Sequence, residues 1–166
     1  GQTGSEIKSD ILEHGVDKRG VLRQHYETDA LDASTLLAAI FGFLPGDDPT
    51  LRATVLAVAD ELSEQGFVQR YRTDQTDDGL SGKEGSFVIC SFWLVSALAI
   101  VGQTRRAREL MERLVKAASP LGLYAEEFDV ETGRHLGNFP QAFSHLALVE
   151  AAARLIVAEG FDELVR

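Results

Sequence analysis

Cysteine, tryptophan and methionine occur once each among the 166 residues, as Cys90, Trp93 and Met111, and proline only four times. One thiol cannot build a disulfide framework, so burial has to hold the chain together, as expected in a reducing, cytoplasmic compartment. Cys90 lies in an apolar run and reads as a small buried hydrophobe. Basic residues are also few: 16 Lys and Arg against 26 Asp and Glu leave a formal net charge of -10. Such a field repels polyphosphates, which argues against nucleic acid as a partner and favours a neutral ligand. No apolar run is long enough for a membrane span, since the longest, residues 87–101, is interrupted by Ser91 and Ser96. No charged-then-apolar leader opens the chain, and its start at Gly1 is that expected of a chain trimmed from something longer. Nucleophile elbows, phosphate loops and paired-histidine metal motifs are absent, so neither metal nor cofactor is expected.

What is present is a globular composition, 45% hydrophobic and 25% charged, at a length suited to a single unit over residues 1–166. Segments 31–44, 87–101 and 139–157 are apolar on nearly every face, the pattern of helices enclosed in an interior. Segments 49–64 and 104–118 carry apolar residues at helical spacing opposite a charged face and read as half-wet outer helices. Asp48 ahead of Pro49 is a helix start, Thr104 is a second cap, and a further helix over 7–14 stops at Gly15. Residues 160–166 open another outer helix in this reading. Outer and inner helices therefore alternate, and the fold expected is all-α.

Each inner helix is entered through a long polar segment, over 15–30, 65–82 and 122–138. If the inner helices stand parallel, these lead-ins gather above their N-termini and build one crater, floored by oriented backbone N–H groups. A polar, uncharged small molecule such as a carbohydrate suits that crater. In the third lead-in Glu126 and Glu127 stand between Tyr124 and Phe128. Neighbours in an extended segment point to opposite sides, so one carboxylate can face the crater while the other anchors the loop. A carboxylate partly out of water beside aromatics is how a general base for water is made, although by pattern alone the pair reads as solvated loop acids. Arg70, Tyr71 and Arg72 can grip sugar hydroxyls or pair with surface carboxylates along a strand. Glu84 is open to two readings, a first-turn helix acid or a ligand acceptor. His145 and Trp93 read as satisfied core residues, and Asp74, Asp77 and Asp78 as a hydrated turn beside Gly79.

Three stretches taken together carry a resemblance: His25-Tyr-Glu-Thr-Asp-Ala-Leu-Asp-Ala-Ser-Thr-Leu-Leu37, Glu84-Gly-Ser-Phe-Val-Ile-Cys-Ser-Phe-Trp-Leu-Val95, and Tyr124-Ala-Glu-Glu-Phe-Asp129 followed by Gly137-Asn-Phe-Pro-Gln-Ala-Phe-Ser-His145. In order and spacing they resemble glycoside hydrolase family 15, particularly its bacterial trehalase-like and glucoamylase-like members. The resemblance implies about half of an (α/α)6 toroid that hydrolyses α-glucosidic bonds with inversion. It further implies Glu126 as general base, Glu127 as its support, and Arg70, Arg72, Glu84 and Tyr124 as residues of the glucose subsite. The family's general acid lies in an earlier Trp-Glu motif that this chain lacks, since Trp93 is followed by Leu94. An N-terminal half of the same enzyme is therefore the expected partner, without which the chain is inactive and exposes apolar helix surface. The alternative is a noncatalytic helical scaffold or carbohydrate-binding fragment.

Overall fold

The computed structural model describes residues 2–72 and 85–160. Six helices carry the fold: α1 (Gln2–His14), α2 (Leu37–Ile40, continuing a 3-10 turn at Ala33–Leu36), α3 (Pro49–Glu61), α4 (Val88–Ile100), α5 (Thr104–Lys116) and α6 (Ala142–Glu159). α4 is at the centre. Ten of its thirteen residues are buried, including Phe92 and Val95, so it is enclosed on all sides as its uniformly apolar sequence requires. α2 and α6 flank it as inner helices, while α3 and α5 turn one apolar stripe inward, in α5 through Ala107, Leu110 and Leu114. The expected alternation of outer and inner helices is therefore present. Among the described residues no helix is long and apolar enough to cross a membrane.

The boundaries follow local chemistry. Asp48 accepts hydrogen bonds from Thr50 N (2.8 Å) and Leu51 N (3.2 Å) with Pro49 at the first helical position. The cap of α5 is Gln103 rather than Thr104, which is the first helical residue, and its side chain makes no capping bond. The first inner helix is much shorter than the expected 31–44. Gly42, at φ +67°, ends it: Gly42 N bonds to Ala39 O and Phe43 N to Ala38 O, a left-handed termination that reverses the chain. The anticipated helix after residue 160 and the turn containing Asp74, Asp77 and Asp78 lie outside the described residues.

Short strands occur in two of the lead-ins, read from sequence as loop, and at the adjoining ends of the expected helices 49–64 and 87–101, since α3 stops at Glu61 and α4 starts at Val88. β1 (Ser63–Glu64) and β2 (Phe67–Val68) close on Gln65 and Gly66, both with positive φ, as a two-residue hairpin turn demands. β3 (Ser86–Phe87), β4 (Glu127–Asp129) and β5 (Arg134–Leu136) form an antiparallel sheet in that spatial order, with Phe87 opposite Glu127 and Glu127 opposite Leu136. β3 runs directly into α4, so this sheet fixes the third lead-in against the central helix.

α6 is apolar on two faces. Ser144, Ala147, Ala151 and Leu155 pack inward, whereas Phe143, Leu146, Val149 and Val157 are 64–75% exposed. At the other edge α1 buries no side chain and is held by polar contacts, Lys8 Nζ to Phe43 O (2.6 Å) and Tyr26 Oη to Asp10 Oδ2 (2.6 Å). A hollow of about 510 Å³ beneath it is lined by Ile11, Leu37, Ala38 and Phe41. These edges are those of an incomplete ring, and each large side chain left uncovered forgoes about 1.5–3 kcal/mol of burial. The isolated chain is accordingly expected to self-associate, with a light-scattering mass that rises with concentration and falls back in the Phe143→Glu/Leu146→Lys double variant. A monodisperse monomer at millimolar concentration would contradict this.

Candidate active site

The lead-ins converge. Ala33 N, at the start of the first inner helix, donates to Arg70 O (2.8 Å), and Asp32 bridges to Tyr71. The Asp32 carboxylate caps Ser34 N (2.7 Å) and accepts from Gln24 Nε2 (3.3 Å), which brings in the first lead-in. The Arg70 guanidinium lies 4.5 Å from the Tyr71 ring centre and 5.2 Å from that of Phe87, the residue that caps α4. Val88 N, at the start of α4, donates to Glu126 O (3.0 Å). Gln141 N and Ser144 Oγ, at the start of α6, donate to Tyr124 O (2.9 Å) and Ala125 O (2.8 Å). The starts of α4 and α6 thus meet the third lead-in and the start of the first inner helix meets the second, the two groups adjoining where Arg70 lies over Phe87.

Within that group the paired acids part company. Glu127 Oε2 accepts from Gly85 N (2.9 Å), tying β4 to the approach of β3. Glu126 Oε2 accepts from both Asn138 N (3.3 Å) and Asn138 Nδ2 (3.2 Å), while Glu126 Oε1 takes no hydrogen bond among the described residues. Gly137 makes room for this carboxylate. A β-carbon there would stand 2.9 Å from Glu126 Oε2, and the backbone is at φ +70°.

Tyr124 is placed differently from the subsite expected of it. It is buried, with its ring edge-on to Phe92, and its hydroxyl donates to Leu114 O of α5 (3.0 Å). Burial raises the proton affinity of that phenol. It supports the loop from behind because its apolar body fits the core and its hydroxyl finds a buried carbonyl. Arg70 is half-buried and Arg72 exposed on the second lead-in, both on the side of the Asp32 end of the first inner helix. Glu84 lies outside the described residues. His145 is satisfied, as its place in an apolar helix suggests, with Nδ1 2.7 Å from Gln141 O. Asn138, Ser144 and His135, whose ring sits among Tyr124, Phe128 and Phe139, were not singled out from sequence. Only the Gly-Asn pair just before Pro140 offered a signal.

The family model described as Glycosyl hydrolases family 15 matches residues 1–153. This chain belongs to that family. Among curated relatives, a trehalase of Mycolicibacterium smegmatis is 66% identical over 93% of the chain and a trehalase of Thermoplasma volcanium 40% identical over 90%. The chain spans about a quarter of their length, 23% and 24% respectively. A solved wild-type glycosidase superimposes with a TM-score of 0.78 at 25% identity, covering 93% of this chain and 43% of that one. The fold of this family 15 segment is accordingly that of part of a toroid, open at two edges.

Two outcomes test the local geometry. Gly137→Ala should cost about 1–2 kcal/mol in urea unfolding, because the left-handed backbone is unfavourable for a residue with a β-carbon, and should push the Glu126 carboxylate off Asn138. Cys90 is held at about 12, raised first by burial and then by the Asp32 carboxylate, with Arg70 pulling it back. In the unfolded chain the thiol ionises earlier, near 9.0. The fold is therefore expected to keep this contribution below that pH and to lose it as pH climbs towards about 12. In the folded chain Cys90 should resist a thiol reagent at pH 8 and react once urea unfolds it; prompt labelling of the native chain would show the site to be open.

Proposed function

We propose that the chain is the general-base segment of an inverting α-glucoside hydrolase acting on trehalose. The observation that supports this most directly is the Glu126 carboxylate: one oxygen is fixed by Asn138 and the other is unengaged among the described residues, at the end where α4 and α6 begin. An oxygen so held can take a proton from water as that water attacks an anomeric carbon. The attack comes from the face opposite the departing oxygen, so the new C–O bond has inverted configuration. A carboxylic acid from outside this chain protonates the leaving oxygen; inversion needs the two carboxyl groups roughly 6.5–9.5 Å apart to admit the water. Glu127 keeps β4 in place through Gly85. Arg70, with Arg72 and Glu84, binds glucose hydroxyls, and Tyr124 fixes the loop from the core side. Trehalose is favoured because the curated relatives named here are trehalases.

The chain is assayed after assembly with the rest of a family 15 catalytic domain. Trehalose should be hydrolysed with one β-glucose formed per α-glucose, as seen by proton NMR before mutarotation. Glu126→Gln should lower kcat by about 10²- to 10⁴-fold, the range typical for loss of a general acid or base, with circular dichroism unchanged. Unchanged turnover refutes the base assignment, and binding of glucosides without hydrolysis by the unaltered assembly favours a noncatalytic carbohydrate-binding segment.

A further inference from the structure

The segment Tyr124-Ala125-Glu126 has all six of its backbone polar groups bonded. Its three carbonyls accept from Gln141 N (2.9 Å), Ser144 Oγ (2.8 Å) and Val88 N (3.0 Å). Of its three N–H groups, that of Glu126 donates to Asn138 O (3.0 Å). The other two go to imidazole rings: Tyr124 N to His145 Nε2 (3.3 Å) and Ala125 N to His135 Nδ1 (3.4 Å). Tyr124 and Ala125 are at most 3% exposed, so water cannot replace either ring as an acceptor there.

The opposite nitrogen of each ring faces a carbonyl. His145 Nδ1 lies 2.7 Å from Gln141 O and His135 Nε2 3.1 Å from Ala117 O. A carbonyl can only accept, and a backbone N–H can only donate. Each ring must therefore present one N–H and one lone pair, which only a neutral imidazole has, since the imidazolium carries two donors. The proton sits on Nδ1 in His145 and on Nε2 in His135. We infer that His135 and His145 are positioning residues for Glu126, two neutral rings of opposite tautomer that clamp the backbone immediately ahead of the carboxylate.

The rings come from different elements, β5 and α6, and grip neighbouring peptides. Tyr124 fills the space between them, its ring 6.5 Å from His135 and 5.7 Å from His145. His135 also ties the segment to α5 through Ala117 O, as Tyr124 Oη does through Leu114 O. Glu126 thus inherits its position from a peptide run anchored on both sides.

This inference rests on Glu126 being the base, and the test separates the two. A glutamine side-chain oxygen reaches about where Nε2 of histidine lies, and an asparagine oxygen about where Nδ1 lies. In the assembled protein, His145→Gln and His135→Asn retain the acceptor and are expected to keep kcat on trehalose within about tenfold of the unaltered protein. His145→Asn and His135→Gln lose it and should reduce kcat by about 10²-fold, the scale of a 1 Å misplacement of a reacting group, with little change in KM. A simple packing role predicts no such crossing. Nitrogen-15 spectra of labelled histidine in the same protein should show His145 protonated on Nδ1 and His135 on Nε2. Reversed tautomers, a charged ring at neutral pH, the same ranking of variants at both positions, or a loss carried by KM overturns the clamp. If Glu126→Gln keeps its turnover, the base assignment fails and the positioning role fails with it; a dead Glu126→Gln with no crossing sinks the clamp alone.

Discussion

α4 is apolar around its whole circumference, and enclosing it is the constraint on which the rest of the structure depends. An inner helix of this kind cannot end in open water on any side, so α2 and α6 stand beside it while α3 and α5 back it. The same enclosure brings the starts of α4 and α6 to the third lead-in. Their unpaired N–H groups have to be satisfied there, and the residues that satisfy them, such as Glu126 O at Val88 N, are the residues of the candidate site. Closing off α4 and building the site are therefore one arrangement of the chain.

Polar side chains complete that enclosure where backbone geometry leaves gaps. Ser91, fully buried in α4, accepts from Val68 N and so attaches the β1–β2 hairpin to the central helix. Thr54, also fully buried, accepts from Leu22 N and donates to Thr50 O, attaching the first lead-in to α3. Asp17 accepts from Val21 N and Arg19, which lowers its proton affinity despite the opposing effect of burial. Each bond removes a cost that a lone buried donor or acceptor would impose, about 1–3 kcal/mol.

Much of the helical framework was legible because long apolar segments and one strong start signal, Asp48-Pro49, carry their own periodicity. The shortening of the first inner helix was less so. Gly42 and Pro45 mark its end in retrospect, yet the apolar run continues through Phe43 and Leu44 and outweighs them by pattern. Strands of two or three residues have no readable period, which is why the sheet joining Phe87, Glu127 and Leu136 was seen only in three dimensions. In the site, adjacency of Glu126 and Glu127 was enough to expect divergent side chains. What each would meet was not legible, because Asn138 and Gly85 are distant in sequence and are brought close by that sheet. Tyr124 illustrates the limit, since a tyrosine beside two acids reads as a ligand contact until its hydroxyl is found on an outer helix.

That outer helix carries an obligation its surface does not reveal. The C-terminal turn of α5 offers the carbonyls of Leu114 and Ala117, taken up by Tyr124 and His135. Inserting or deleting a single residue in α5 would swing those carbonyls through about 100° and carry them out of reach. The helix is therefore fixed in length, a restriction imposed by a carboxylate that it never touches.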